Sequence, residues 1–165
     1  MHHSSHQSDE RRQNTGGALI PFKPAHLDLL AWRAFDTEYT KNLPTFDNQM
    51  EALADGSLAV TAIANGRVLA CGGILNIGPG LGYAWLFGST YLHENLLWFT
   101  KSLRDWVGAT EQILNLHRLQ TVCHVADTQG INWVEHLGFV AEGTLRRYDA
   151  HQGDYIMYAR IREDN

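Results

Sequence analysis

Apolar residues are spread unevenly along this chain, and their spacing changes with position. Residues 1–17 contain a single apolar side chain, Met1. From residue 18 onward, apolar positions recur every second residue or every three to four residues, the spacings of strands and of amphipathic helices. A segment without apolar side chains cannot offset the entropy lost on ordering its backbone. We therefore predict a disordered polar tail over 1–17 and a single folded domain over 18–165.

Seven segments have the apolar content and the turn boundaries of strands. Pro21 places the first of them at an edge of the sheet, because proline cannot donate to a ladder. Asn65-Gly66 is a strong two-residue hairpin signal between the second and third. The third and fourth carry apolar residues on both faces, which is typical of central strands. The predicted strands are 18–23, 57–64, 67–77, 81–88, 119–125, 140–148 and 154–161.

Three- and four-residue spacing predicts four helices. The longest covers 93–117; the two earlier ones begin at Pro24 and after Thr45, which can act as an N-cap. Asp127 is placed to cap the last helix, 128–137. Together, the elements predict an α+β fold: a mixed sheet of about seven strands flanked by about four helices. Its parallel part lies in the strand–helix–strand unit at 81–125.

Composition narrows the classes of function. The formal charge is 13 − 18 = −5, and nucleic-acid binding needs clustered cations, so we expect no nucleic-acid partner. Cys71 and Cys123 are too few for a disulfide framework. No apolar run is long enough for a bilayer, and the tail lacks the apolar stretch of a signal peptide. We expect a cytoplasmic protein with no membrane partner. The spacing of His117, His124 and His136 indicates no metal site.

The element order and three segments of this chain resemble the GNAT superfamily of acyl-coenzyme A-dependent N-acyltransferases. Residues 127–139 (DTQGINWVEHLGF) are similar to the family's helix that ends in Leu-Gly-Phe. Residues 142–148 (EGTLRRY) and 154–160 (DYIMYAR) are similar to the two strands that follow. The resemblance covers about 18–162. It implies a GNAT-like fold and acetyl transfer from acetyl-CoA to an amine on a small molecule or a protein.

The chain departs from the family pattern at two functional positions. Family members bind the coenzyme A pyrophosphate with a Gln/Arg-x-x-Gly-x-Gly/Ala loop, whose glycines let backbone N–H groups approach the phosphates. Here residues 88–95 read GSTYLHEN, with one glycine, no Arg or Lys, and an acid, Glu94. Many family enzymes carry a tyrosine five residues before the Phe of Leu-Gly-Phe, and that position is Val134. The family's usual asparagine at the head of this helix is Asp127.

The resemblance also implies where a site would lie. Backbone N–H groups of the fourth strand and the turn after it would contact the coenzyme and polarise the thioester. Catalysis would fall to Glu94 or His93 as base, with Tyr91 replacing the missing acid. Each has a plainer interpretation: a helix-start acid favoured by the dipole, an exposed histidine and a packed aromatic ring. The predicted coenzyme-binding residues are Trp85, Leu86, Phe87, Gly88, Ser89 and Thr90.

Residues of the last elements have both structural and functional interpretations. His124 on the fifth strand is either a buried, hydrogen-bonded histidine or part of a site. Cys123 and His124 are adjacent on a strand and point to opposite faces, so they do not form a nucleophile pair. The last strands carry tyrosines at positions where family members often line the acceptor site, and aromatic packing is the alternative for each. These tyrosines are Tyr148, Tyr155 and Tyr158.

Two functions from different classes follow. The first is an N-acetyltransferase with a divergent phosphate loop. The second is a non-catalytic GNAT-fold protein used for binding or as a phage virion or assembly component. The departures, together with the stretch Trp-Leu-Phe-Gly-Ser-Thr at 85–90, resemble a bacteriophage branch of the superfamily. This branch implies the host cytoplasm or the virion as the location. A homodimer through the last strands is a further expectation.

Overall fold

A computed structural model describes residues 16–163, apart from the Tyr39 side chain, so most of the predicted tail lies outside the described residues. Seven strands form one mixed sheet in the order β1-β2-β3-β4-β5-β7-β6, which confirms the predicted fold class. The strands are β1 (Ala18–Pro21), β2 (Ser57–Ala64), β3 (Arg67–Gly78), β4 (Leu81–Gly88), β5 (Arg118–His124), β6 (Val140–Leu145) and β7 (Tyr155–Ile161).

Every neighbouring pair in the sheet is antiparallel except β4 and β5, which run parallel as predicted for 81–125. Strand β1 lies at an edge, as Pro21 predicted. The turn between β2 and β3 has positive φ at both central residues, 52° at Asn65 and 71° at Gly66. This is the backbone that a two-residue hairpin requires and that Asn-Gly supplies at low cost.

Helices cover both faces of the sheet. The long helix α3 and the later α4 bury one core cluster with β3 and β5, in which Phe99, Leu103 and Leu137 take part. The opposite face is covered by α2, whose Phe46 and Met50 are buried against a second cluster. The α-helices are α1 (Ala34–Asp36), α2 (Phe46–Gly56), α3 (Leu96–Ile113) and α4 (Thr128–His136).

The prediction of a helix that begins at Pro24 is mostly wrong. The chain forms a 3₁₀ helix over Pro24–Leu29, then runs extended to Arg33 before α1 and a π-helical turn, Thr37–Lys41. Leu30 bridges to Val68 on β3, and Trp32 bridges to Ser89 just after β4. Pairing with the ends of these strands therefore overrides the helical spacing of the apolar residues. Thr45 precedes α2 but makes no capping hydrogen bond with its side chain.

The later elements match the predictions closely. The long helix begins at Leu96 after a 3₁₀ turn (Leu92–Asn95), three residues later than expected. Asp127 caps α4 by accepting the Gly130 N–H at 3.0 Å. Gly138 closes that helix with φ 87°, a conformation that glycine adopts without strain. Within residues 16–163, no helix is both long and apolar enough to cross a bilayer.

Candidate active site

The sheet opens between its two parallel strands. Strands β4 and β5 pair over only three positions, Leu81–Tyr83 against Arg118–Gln120. At the next position the Thr121 hydroxyl, not a backbone N–H, donates to the Ala84 carbonyl at 2.8 Å. The strands diverge beyond this point, so β4 has no backbone partner on its β5 side.

The gap exposes the backbone of Leu86. The Ala84 carbonyl faces β5, whereas the Ser89 N–H faces β3 and donates to Leu69 at 2.7 Å. Backbone groups of alternate strand residues point to the same side. The N–H and C=O of Leu86 therefore face the gap, two residues beyond Ala84. A ligand in the gap can pair with them as a short strand would.

A cavity of about 690 Å³ fills this gap and reaches both faces of the sheet. Met50 and Leu53 of α2 line it on one side, and Leu103 and Trp106 of α3 line it on the other. Val134 also lines it, so the position of the family tyrosine lies at the cavity but carries no hydroxyl. We call this cavity the cleft. Its size and mostly apolar lining are those of a small-molecule site.

A buried ion cluster forms one wall of the cleft. The Arg33 guanidinium donates to Asp36 through Nε at 2.9 Å and to Asp127 through Nη1 at 3.0 Å. Its Nη2 donates to both carboxylates at 3.1 Å. The three side chains are only 10–14% exposed. Because one cation meets two carboxylates, the wall carries a formal charge of −1.

Burial and pairing act against each other in this cluster. Burial works to lower the pKa of Arg33, but hydrogen bonds to Asp127 and Asp36 outweigh it and raise that pKa above its usual value. Burial dominates at Asp36, so the pKa of this carboxyl is raised even though Arg33 works to lower it. Arg33 thus stays charged, and it joins the segment before α1 to the start of α4.

Trp133 of α4 lines the cleft beside Arg33. The Arg33 guanidinium carbon lies 4.9 Å from its ring centroid, a cation–π contact. A Cβ at Gly88 would lie 2.5 Å and 2.9 Å from ring atoms of Trp133. Only glycine at the end of β4 therefore lets the indole pack this closely.

Another part of the cleft lining is aromatic, and we call it the aromatic end. His124 and Tyr155 line it, with their ring centroids 5.1 Å apart, and Phe35 lies 5.2 Å from His124. His124 Nδ1 accepts the Ala126 N–H at 3.0 Å, so the neutral ring carries its proton on Nε2. His124 is thus hydrogen-bonded and nearly buried while still lining the cleft. The two interpretations of this residue from the sequence, a buried histidine and part of a site, are therefore compatible.

Asp149 supports this aromatic end from the β6–β7 connection. It accepts the Gly153 N–H at 2.7 Å, the His151 N–H at 2.9 Å and the Tyr155 hydroxyl at 3.0 Å. Burial works to raise the pKa of Asp149, but these hydrogen bonds and the nearby His124 outweigh it and lower the pKa below its usual value. Burial and the bond to Asp149 both raise the pKa of Tyr155, which keeps its proton.

The predicted coenzyme-binding residues fall into two groups. Trp85, Leu86 and Phe87 line the cleft. In the turn after β4, the backbone N–H groups of residues 89–92 and 94 have acceptors within the chain. Ser89 N–H donates to Leu69, and Thr90 N–H donates to Ala31 at 2.9 Å. The Tyr91 N–H donates to the Ser89 hydroxyl, and the Leu92 and Glu94 N–H groups donate to the Ser89 and Tyr91 carbonyls.

The three predicted catalytic residues lie on the outer side of this turn. Glu94 pairs with Arg67 at 3.4 Å, and both side chains are about half exposed. The Arg67 guanidinium also lies 4.1 Å from the Tyr91 ring centroid. His93 contacts the Thr90 carbonyl through Nδ1 at 2.9 Å. In the part of the chain that the structure describes, these three side chains do not join the cleft lining. Their catalytic assignment stays a prediction.

Sequence reasoning missed Arg33, Asp36 and Trp133 as cleft residues. Arg33 and Asp127 are 94 positions apart, so no local pattern links them. Asp127 itself carried a signal, because it replaces a family asparagine at the head of α4. In the sequence, Trp133 looked like an ordinary residue of an amphipathic helix.

The cleft offers phenol and thiol groups but no reactive thiolate. Burial raises the pKa of Cys123 to about 12 and that of Tyr83, also at the cleft, to about 12. Cys71 is buried and its pKa is raised to about 11. Both cysteines are free. Among residues 16–163 there is no group of three or more His, Cys, Asp or Glu side chains that could hold a metal ion.

No protein-family model matches the chain, and no curated protein sequence matches it. Solved structures match it at low identity. The ribosomal-protein-S5-alanine acetyltransferase from Vibrio fischeri is 14% identical, with a TM-score of 0.68 over 92% of this chain and 96% of that chain. A GNAT-family acetyltransferase from Bacillus anthracis is 12% identical, with a TM-score of 0.68 over 88% and 95%.

A third neighbour was solved with a ligand. Mycobacterium smegmatis RimJ, in complex with CoA-disulfide, is 16% identical, with a TM-score of 0.67 over 88% of this chain and 81% of that chain. At these identities the likeness concerns the fold alone. The chain therefore has the GNAT acetyltransferase fold, as its sequence predicted.

Proposed function

We propose that this protein is an N-acetyltransferase that moves an acetyl group from acetyl-CoA to an amine. The observation that carries the proposal is the open gap beside β4, where the Leu86 backbone faces a cleft of about 690 Å³. An enzyme of this kind needs N–H groups that polarise a thioester carbonyl and a dry space beside them. The neighbour solved with CoA-disulfide supports a coenzyme A ligand.

The acetyl and pantetheine portions fit the cleft, whereas the diphosphate does not fit the turn after β4. The cleft is apolar and offers the Leu86 N–H and C=O for pairing. In the turn, the backbone N–H groups of residues 89–92 and 94 are engaged within the chain, and the Glu94 side chain pairs with Arg67. A diphosphate therefore has to contact other parts of the surface.

The amine would enter at the aromatic end, beside His124 and Tyr155. In the transfer, a nitrogen–carbon bond forms and the carbon–sulfur bond breaks, while the amine loses a proton and the sulfur gains one. Asp36 and Asp127 are engaged by Arg33, and His124 holds a hydrogen bond at Nδ1. We therefore assign the amine proton to solvent water and assign positioning of the amine to these rings.

Calorimetric titration with acetyl-CoA at physiological salt tests the proposal, with a thermal melt in parallel. Binding to the native state must raise its stability, so millimolar acetyl-CoA should raise the melting temperature, and ATP, a nucleotide without the thioester arm, should not. Acetylation of amines by the same sample, followed by mass spectrometry, tests the chemistry. No heat and no thermal shift with acetyl-CoA would exclude the enzyme.

A second candidate is a non-catalytic GNAT-fold protein, including a bacteriophage virion or assembly component. The specific observation in its favour is the closed turn after β4, because a protein that binds no coenzyme has no need of free amides there. Co-purification of the chain with assembled particles would support this function. Its strict absence from particles, together with acetyl-CoA binding, would reject it.

A further inference from the structure

A second cavity, of about 250 Å³, lies between α4 and the beginning of α3. It shares Leu103, Trp133 and Leu137 with the lining of the cleft, so the two cavities are neighbours. We call this second cavity the groove. In the part of the chain that the structure describes, His124 and Tyr155 of the aromatic end do not line it. A ligand whose thioester arm lies in the cleft can therefore extend into the groove without occupying the position proposed for the amine.

The polar side chains of the groove can all donate hydrogen bonds. Gln129, Asn132 and His136 recur at intervals of three and four residues, which places them on one face of α4. His93 and Thr100 line the groove from the side of α3. Four of these five side chains are exposed, and Thr100 is half-buried. Amide, hydroxyl and imidazole groups that can all donate suit an anionic ligand.

The two histidines of the groove have the same tautomer. His93 Nδ1 lies 2.9 Å from the Thr90 carbonyl oxygen, and His136 Nδ1 lies 2.8 Å from the Asn132 carbonyl oxygen. A carbonyl oxygen only accepts, so Nδ1 carries a proton in both rings. A second proton therefore goes to Nε2, and each charged ring then has an Nε2–H to donate. Such a charge-assisted hydrogen bond to a phosphate is stronger than one between neutral groups.

The charge of the groove depends on these two histidines. Within residues 16–163, its lining includes no other ionisable side chain. Two acids follow or precede the histidines in sequence, but Glu94 pairs with Arg67, and Glu135 accepts a tyrosine hydroxyl of β7 at 3.2 Å. Arg104 lies at the margin, where it donates to the carbonyl of the last residue of α4 at 2.9 Å. Protonation of the two rings therefore makes the groove positive.

We propose that the groove holds the diphosphate of coenzyme A, with charged His93 and His136 as its main ligands. This inference rests on the proposed function, because acetyl-CoA is the ligand of the neighbouring cleft. Side chains between two helices then take the place of the backbone amides that are engaged in the turn after β4. The groove adds to the binding of the thioester arm and does not replace it, because both histidines are exposed and their charge is screened by salt.

A dependence of binding on pH follows from this assignment. Histidine is the side chain whose charge changes between about pH 5 and pH 8. A diphosphate binds better to the charged rings, so the affinity for acetyl-CoA should rise as the pH falls from 8 to 6. A thioester without a diphosphate does not reach the groove, and its affinity should not share this dependence.

The test compares two donors on three proteins by calorimetry, at pH 6 and pH 8 and constant ionic strength. The donors are acetyl-CoA and S-acetylpantetheine, which has the same thioester arm and no diphosphate. The proteins are the natural chain, the double variant His93→Gln/His136→Gln and the control His117→Gln. His117 is exposed, lies against Gly80 and is not among the described residues that line either cavity. Thermal melts establish that each protein is folded.

At pH 6 we expect the double variant to bind acetyl-CoA about tenfold more weakly than the natural chain, because two exposed ion contacts each strengthen binding by roughly three- to fivefold. At pH 8 the difference should be less than threefold. The ratio of the two proteins at each pH removes the effect of protons that the phosphates themselves take up. Neither S-acetylpantetheine binding nor the control should show this change. Equal acetyl-CoA affinities at pH 6, or an equal loss for both donors, would overturn the assignment.

Failure of the groove can be told apart from failure of the proposed function. If the natural chain binds acetyl-CoA and the double variant binds it equally well, the groove is wrong and the acetyltransferase proposal stands. If the double variant loses affinity at pH 6 but the natural chain transfers no acetyl group, the groove stands and the enzyme is wrong. If neither donor binds the folded natural chain, both proposals fall. Should the double variant not fold, the single variants His93→Gln and His136→Gln replace it, each with about half the effect on the logarithm of the affinity.

Discussion

The backbone hydrogen bonding of strand β4 differs from that of the turn that follows it. At Leu86 its backbone faces an open gap, and no neighbouring strand pairs with it on that side. At 89–92 every backbone N–H has an acceptor within the chain. The first region keeps what thioester chemistry needs, and the second lacks what a diphosphate needs. In the proposed acetyltransferase, the thioester part and the diphosphate part of the coenzyme site would have diverged separately, because they rest on different contacts.

The difference has a physical origin in the segment before α1. Its extended residues run past the end of β4, where Ala31 accepts the Thr90 N–H and Trp32 bridges to Ser89. Arg33 follows directly and joins this segment to α4. The turn is thus closed by the same segment that forms the charged wall of the cleft. Substitutions in the turn after β4 or in the charged wall can separate the effect of the closed turn from the effect of the wall.

The largest expected effect comes from removing Arg33. Arg33→Ala leaves the buried carboxylates of Asp36 and Asp127 without their cation, which should lower the free energy of unfolding by about 3–5 kcal/mol. Urea denaturation at pH 7 measures this. Arg67→Ala is the control at the turn: its pair with Glu94 is half exposed, so its loss should cost less than about 1 kcal/mol. Similar losses in both variants would contradict the burial argument.

The next effect tests the open backbone at Leu86. Leu86→Pro removes an N–H that faces the gap and leaves the β3–β4 ladder intact, since proline is tolerated where the N–H is not paired. We expect acetyl transfer to fall about 100-fold, the usual cost of losing one donor to a developing oxyanion. Circular dichroism checks that the variant is folded.

Leu86→Ala is the matched control for this prediction, because it shortens the side chain but keeps the N–H. It should retain most of the transfer rate. If both Leu86 variants lose activity equally, the side chain and not the backbone contributes the effect, and the assignment of the N–H is wrong.

A smaller effect is expected at the aromatic end of the cleft. The pKa of Asp149 is lowered in the folded protein, so its contribution to stability is present above the unfolded value, near 4, and is lost as the pH falls through the folded value. Asp149→Asn should cost about 1 kcal/mol at pH 7. Urea melts between pH 7 and pH 2 should show this difference shrinking with acidity. The exposed Asp28→Asn is the control, and a difference that is constant with pH would contradict the prediction.

The fold could be predicted because its determinants are local. Asn65-Gly66 specifies a hairpin, and Asp127 and Gly138 mark the two ends of α4. Alternation and helical spacing placed all seven strands and the long helix. The helix predicted after Pro24 was wrong for a non-local reason, because Leu30 and Trp32 pair with strand ends far along the chain.

The site was harder to predict for the same reason. The sequence showed that 88–95 has no Arg or Lys and a single glycine, and Leu86 lies at the cleft. It did not show that Arg33 reaches Asp127, or that Trp133 packs on Gly88. Such contacts depend on how α4 and the segment before α1 meet over the open strands. The residue spacing within either segment does not predict these contacts.

The smallest expected effect is at Glu94. It sharpens the contrast between the open backbone at Leu86 and the closed turn at 89–92. If the turn held a diphosphate, Glu94→Arg would remove a repulsive charge, add an attractive one and tighten acetyl-CoA binding. The backbone N–H groups of residues 89–92 and 94 are engaged and Glu94 pairs with Arg67, so we expect the dissociation constant to change less than about threefold, a difference under about 1 kcal/mol. Calorimetry at two salt concentrations measures it, with Glu38→Arg, an exposed acid distant in sequence, as control. A tightening of tenfold or more that weakens with salt would place the diphosphate at the turn after all, because screening acts on such a contact.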